Sequence, residues 1–120
     1  MKYLALIYSE HDRWASSTPD EKQAVYDEFV RFADEAGRRG KLGGGAELDA
    51  TTTATTVRVR NDETMVTDGP FAETKEQLGG YFLLDCDNLD EAIELAAKIP
   101  TARHGSIELR PLMEREGPPA

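Results

Sequence analysis

Two short runs, "KYLALIY" at residues 2–8 and "GGYFLLDC" at 79–86, are apolar on both of the faces that a strand presents in alternation. Each is too short for a helix and is rich in branched and aromatic residues, so each reads as a strand. In the second run Tyr81 and Leu83 point one way, and Phe82, Leu84 and Cys86 the other. A strand with no polar face belongs in the middle of a sheet that is covered on both sides. Other segments alternate instead. "TTVRVR" sets Val57 and Val59 against Arg58 and Arg60, and "SIELRPL" sets Ile107 and Leu109 against Glu108 and Arg110. These are half-exposed edge candidates.

Helical patterns separate the strands. In "TPDEKQAVYDEFVRFADEAGRRG", Thr18 is an N-cap, Pro19 takes the first helical position and Glu21 completes a capping box. Val25, Phe29, Phe32 and Ala36 form its apolar stripe, and Gly37 or Gly40 ends it. A second helix starts at the cap Asn88, carries Leu89, Ala92, Ile93 and Ala96 as its stripe, and closes at Pro100. "HDRWASS" reads as a loop. "KLGGGAELDATTTA" reads as a short strand followed by a polar loop, and "NDE" as the turn that folds "TMVTD" back on "TTVRVR".

The resulting order is strand, helix, hairpin strands, helix, strand. It predicts an α+β, ferredoxin-like split βαβ fold with an extra hairpin, an antiparallel sheet and two helices on one face. The other sheet face is then a large bare apolar surface. A second copy of the chain, packed sheet to sheet, is expected to cover it, with folding-over of the long middle segment as the alternative.

The 120 residues suit one domain, with a tail expected to fray from about residue 113. A net charge of −9 disfavours phosphate backbones and anionic membranes as partners. No apolar stretch approaches the ~20 residues that span a bilayer, and the polar "SEHDR" directly after the first strand is unlike a signal peptide, so a cytoplasmic location is expected. The single cysteine, Cys86, lies in an apolar run and reads as a small buried hydrophobe.

The chemistry concentrates in "TDGPFAETKEQLGGYF", residues 67–82. Asp68, Gly69 and Pro70 make a rigid turn. Either the turn simply tucks Phe71 into the core, or it holds Asp68 at a cleft as acid, base or ligand anchor. Glu73, Lys75 and Glu76 are either a solvated run or a carboxylate–ammonium group able to share a proton. Gly79 and Gly80 permit close backbone approach, to another strand or to a ligand. His104 precedes the last strand and His11 follows the first, which puts them at one end of the sheet. The spacing of Glu10, His11, Asp12, Asp85 and His104 matches no metal signature, so no metal and no cofactor is expected, and His104 is kept as a proton-transfer candidate. Trp14 either caps the core edge or walls a cleft. "LGGGAEL" lacks the Lys-Ser/Thr ending of a phosphate loop. The candidate catalytic residues are therefore Asp68, Glu73, Lys75 and His104. The candidate ligand-binding residues are Trp14, Phe71, Glu76, Gly79 and Gly80.

"DGPFAETKEQLGGYF", together with "LGGGAEL", "GSIELRP" and the opening "MKYLALIY", resembles the DGPF, or YCII-related, family of small bacterial proteins over essentially the whole chain. The resemblance implies a ferredoxin-like fold that dimerises through its sheets, as in the dimeric α/β-barrel superfamily, whose members include muconolactone isomerases and small heme or quinone oxygenases. It also implies an accessory role beside extracytoplasmic-function sigma factors as an alternative to a small cofactor-independent enzyme, a small-molecule binder, or a dimeric scaffold. Better-studied relatives carry a His on the first helix and an Asp before the last strand. Here "DEKQAVYDEFVRFADEAG" has no His and "TARHGS" has no Asp, so that pair does not transfer.

Overall fold

The computed structural model describes residues 1–115. Strand β1 (Lys2–Glu10) is followed by a short helix α1 (His11–Ala15), the long helix α2 (Pro19–Arg38) and strand β2 (Leu42–Glu47). A 3₁₀ turn (Thr51–Thr53) leads into the hairpin β3 (Thr55–Arg60) and β4 (Glu63–Asp68). Strand β5 (Glu76–Asp85), helix α3 (Leu89–Ala96), a 3₁₀ turn (Pro100–Arg103) and strand β6 (Ser106–Pro111) complete the order. Most of the tail expected to fray from residue 113 lies outside the described residues.

The two runs without a polar face occupy the centre of the sheet. Its order is β2-β5-β1-β6, and every neighbouring pair is antiparallel. Along β1 and β5 the alternation divides the apolar residues cleanly. Tyr3, Ala5, Ile7, Leu84 and Cys86 are buried in one core with Phe32 and Ala36 of α2, Ala92 and Leu95 of α3, and Ile99. Phe82 joins them, its ring centroid 5.0 Å from that of Phe32 and 6.3 Å from that of Phe29. Burial pushes the Cys86 thiol above its ordinary pKa, which suits an inert core residue.

The caps follow the sequence closely. The Thr18 hydroxyl accepts from the Glu21 N–H at 3.1 Å, and Glu21 Oε1 accepts from the Thr18 N–H at 3.0 Å. Asn88 Oδ1 accepts from the Glu91 N–H at 2.9 Å. Helix α2 runs through Gly37, which has open space around it, and ends before Gly40.

Four local readings need correction. "HDRWA" is helical rather than loop, closed by Ser16 and Ser17, whose hydroxyls donate back to the Arg13 carbonyl. The stripe of α3 is rotated: Leu89 and Ile93 are about half exposed, and Leu95 and Ile99 take the core positions in their place. The buried residues of α3 are Ala92, Leu95 and Ala96, spaced three and four apart, so the core-facing stripe runs through Leu95 and not through Leu89 and Ile93. The hairpin joins no strand of the main sheet, since β3 and β4 pair only with each other as a separate two-stranded sheet. Finally, the middle segment does not fold over the bare sheet face. The molecule measures 48 × 47 × 18 Å. A depth of 18 Å holds one sheet and one helix layer, and a further layer would add about 10 Å.

The second face of the sheet therefore stays open. Leu4 lies opposite Leu83, and Leu6 opposite Tyr81. On the other side of β1, Leu4 faces Arg110 and Leu6 faces Glu108. The hairpin extends beyond this body, and the Cα radius of gyration is 16.5 Å. A compact domain of this length has about 13.6 Å.

Candidate functional site

Where β1 ends and β5 begins, polar side chains gather on the open face. Glu10 and Glu76 are direct cross-strand partners, so their carboxylates project to the same side. Like charges in that position repel. Each carboxylate has its own partner: Lys75 Nζ lies 3.5 Å from Glu10 Oε1, and Ser106 Oγ donates to Glu76 Oε2 at 3.0 Å. One residue pair further along, the Tyr8 hydroxyl donates to Glu108 Oε1 at 3.4 Å. Thr74 Oγ1 donates to the Glu76 carbonyl at 2.6 Å and so fixes the entry to β5.

Two hollows flank this entry segment. One, of about 300 Å³, is lined by Glu10, His11, Asp12, Thr74, Lys75 and Gln77. The other, of about 410 Å³, is lined by Thr51, Thr52, Gly69, Pro70, Glu73, Thr74 and Gln77. Thr74 and Gln77 line both, so the hollows adjoin across the backbone of residues 74–77. The second hollow sits at the root of the hairpin, between the turn that enters β3 and the turn that leaves β4.

That root is braced by backbone geometry. The Gly69 N–H donates to the Ala54 carbonyl at 2.7 Å, and the Thr56 hydroxyl donates to the Gly69 carbonyl at 2.8 Å. Gly69 has φ +99°, which L side chains rarely adopt, and this explains a Gly between Asp68 and Pro70.

The structure brings together only part of the predicted set. Lys75 and Glu73 line the hollows, and Glu76 stands beside them, held by Ser106. Asp68 is exposed at the end of β4 opposite Thr55 and lines neither hollow. Phe71 is not tucked into the core; it is 80% exposed, because the turn that carries it belongs to the hairpin root and not to the body. Gly80 is buried against a strand: a Cβ there would come within 2.8 Å of the Ala46 carbonyl oxygen of β2. Gly79 has no such constraint, its nearest neighbour being the Ile7 carbonyl oxygen at 3.9 Å. Trp14 lies on α1, with Lys22 Nζ 5.5 Å from its ring centroid, a cation–π contact.

His104 lies at the same end of the sheet and lines neither hollow. Burial, and then the Arg13 and Arg103 guanidiniums, hold its imidazole below the ordinary pKa of 6.5. Among the described residues, no group of three or more His, Cys, Asp or Glu is placed to hold a metal ion. No helix among them is long and apolar enough to cross a membrane.

Sequence reasoning missed Gln77, Thr74, Tyr8, Ser106, Thr51 and Thr52, and it noted Glu10 only as a neighbour of histidines. A neutral polar residue in a strand or turn carries no local signal. Only the β1–β5 and β1–β6 registers bring these residues to one place.

A second polar cluster, at the other end of the sheet, is architectural. Lys41 Nζ lies 3.0 Å from Glu91 and 3.4 Å from Asp87. The hydrogen bond to Glu91 raises the Lys41 ammonium, and the Asp87 N–H lowers the Glu91 carboxyl. These contacts tie the start of β2 to the cap of α3.

A profile of the YCII-related domain matches residues 1–116. An uncharacterised protein of Rhizobium meliloti (strain 1021) is 41% identical over 114 residues, covering 93% of this chain and 92% of the relative.

Proposed function

This chain belongs to the YCII-related domain family, and from that premise we propose that it is a cytoplasmic, homodimeric small-molecule-binding protein whose ligand sits along residues 69–77. The observation that carries this reading is the pair of adjoining hollows that share Thr74 and Gln77. Their lining combines hydrogen-bonding side chains with Glu10, Asp12 and Glu73 on one side of the charge balance and Lys75 on the other. An acidic excess in the lining favours a neutral or cationic polar ligand. Gln77 and Thr74 orient it, and the Lys75–Glu10 pair meets its charged group. Where the ligand is a substrate, the Glu10 carboxylate takes a proton from it and the Lys75 ammonium returns one to it, without any cofactor.

The strand order β2-β5-β1-β6, with helices between β1 and β2 and between β5 and β6, supports a ferredoxin-like split βαβ reading in which β3–β4 is the extra hairpin. The open face of Leu4, Leu6, Tyr81 and Leu83 supports a second copy packed on it, sheet to sheet.

The test is a thermal-shift screen of the purified protein against polar metabolites, followed by calorimetric titration of any hit. A ligand that raises the melting temperature of the wild type and loses its effect in both Lys75→Met and Gln77→Ala supports the reading. A hit that survives both substitutions places the ligand elsewhere. Failure of every compound, together with copurification of a sigma factor, turns the reading toward the accessory role.

A further inference from the structure

The hairpin β3–β4 lacks a core of its own. Val57 and Val66 are direct cross-strand partners, and Val59 lies two residues from Val57 on the same face. All three are 59–64% exposed. The same face carries Thr55, Thr64 and Asp68 around the valines, and the opposite face carries Thr56, Arg58, Arg60, Glu63, Met65 and Thr67. A central apolar strip on one face and a largely polar opposite face is the pattern of an antiparallel sheet that packs on a core. A lone two-stranded hairpin is marginal in water, so the apolar face needs a cover. The chain does not supply one, because the hairpin's substantial contacts among the described residues are internal to it.

The surface area points to the occupant. The chain exposes 8699 Å². A folded monomer of 13.3 kDa exposes about 6,400 Å². The excess is on the order of 2,200 Å², within the half-share of the 2,000–5,000 Å² that obligate homodimers bury in total. A second copy carries the same excess and so accounts for both. The slab depth of 18 Å places the arm alongside the body and not on top of it.

We propose that β3–β4 is a clasp: the Val57, Val59 and Val66 face of each subunit closes on the other subunit, with Phe71 at its root as an apolar anchor. This rests on the homodimer of the preceding section and goes beyond it. Sheet-to-sheet packing alone leaves the arm bare. Gly69, Pro70, Thr51 and Thr52 line the larger hollow at the arm's root, so the clasp seats the partner beside that hollow.

The experiment is sedimentation equilibrium on the full chain. Val57 and Val66 are exposed within one subunit, so the double variant Val57→Lys/Val66→Lys retains the fold, which far-UV circular dichroism checks. The clasp predicts that this variant and Phe71→Ser dissociate at least about tenfold more readily than wild type. It also predicts that Thr67→Lys, on the opposite face of the arm, dissociates like wild type. In parallel, hydrogen exchange on the wild type reads whether amides 55–68 gain protection as protein concentration rises, and the clasp requires that gain. A dimer that survives the double lysine variant unchanged, with no concentration-dependent protection of the arm, overturns the clasp and leaves the sheet-packed homodimer standing. A wild type that stays monomeric at high concentration overturns both.

Discussion

The four-stranded body and the β3–β4 arm are both antiparallel sheet and reach opposite ends. In the body each alternate residue finds helix α2 or α3 above it, and Ala5, Leu84, Ala92 and Ile99 are wholly buried. In the arm the same alternation leaves Val57, Val59 and Val66 mostly in water. Alternation states that a face wants cover. It does not state whether the cover comes from the same chain.

Core truncation draws the sharpest line between the regions. Leu84→Ala is expected to cost about 2–5 kcal/mol in urea unfolding, since the site is fully enclosed and relaxes little. That cost should be the same at every protein concentration. Val66→Ala should instead show a cost that shrinks on dilution, because what it weakens is made between subunits. Equal, concentration-independent losses at both positions would erase the distinction.

The glycine pair before the central strand sharpens the comparison within the body. Gly80→Ala forces a Cβ against the Ala46 carbonyl and is expected to destabilise by about 1–3 kcal/mol. Gly79→Ala has room and should be close to neutral in the same thermal melts. The reverse order would mean that the β2–β5 approach is looser than described.

A smaller effect belongs to the helix cap. Asn88→Ala removes the acceptor for the Glu91 N–H and should cost about 1 kcal/mol. The arm has no helix and no such device. Its tip instead relies on positive φ at Asn61 and Asp62, the backbone of a tight hairpin turn.

The smallest expected effect is pH-dependent. His104 is held below its ordinary value by burial and by Arg13 and Arg103, so in the unfolded chain it binds a proton at higher pH than in the folded one. Its contribution is present in full above about pH 6.5 and is lost as the pH falls from there toward the folded pKa. Urea midpoints at pH 7.5 and 5.5 should differ less in His104→Gln than in wild type. An unchanged difference would assign the slope to other groups.

Much of this architecture is legible in the chain. The capping box at Thr18 and Glu21, the cap at Asn88 and the central placement of both apolar runs follow from short-range rules, because hydrogen-bond geometry and side-chain alternation act over four residues or fewer. Helix rotation and long-range distance are not written in short-range patterns. Spacing alone cannot choose between Ile93 and Leu95 for the stripe of α3, since both are large and apolar. The turn residues Asp68, Gly69 and Pro70 allow Phe71 to tuck into a core, but the turn stands outside the body and Phe71 is exposed.

The candidate site was legible only as a segment. Residues 68–76 show a turn and a charge run, but Glu10, Ser106 and Tyr8 join them only through the pairing of β1 with β5 and β6, which are distant in sequence. Sequence by itself determined which stretches must be strands or helices and which faces are averse to water, since those are properties of neighbouring side chains. Tertiary structure decided which averse faces meet within one chain and which remain open, because that depends on where the backbone runs once the loops have closed.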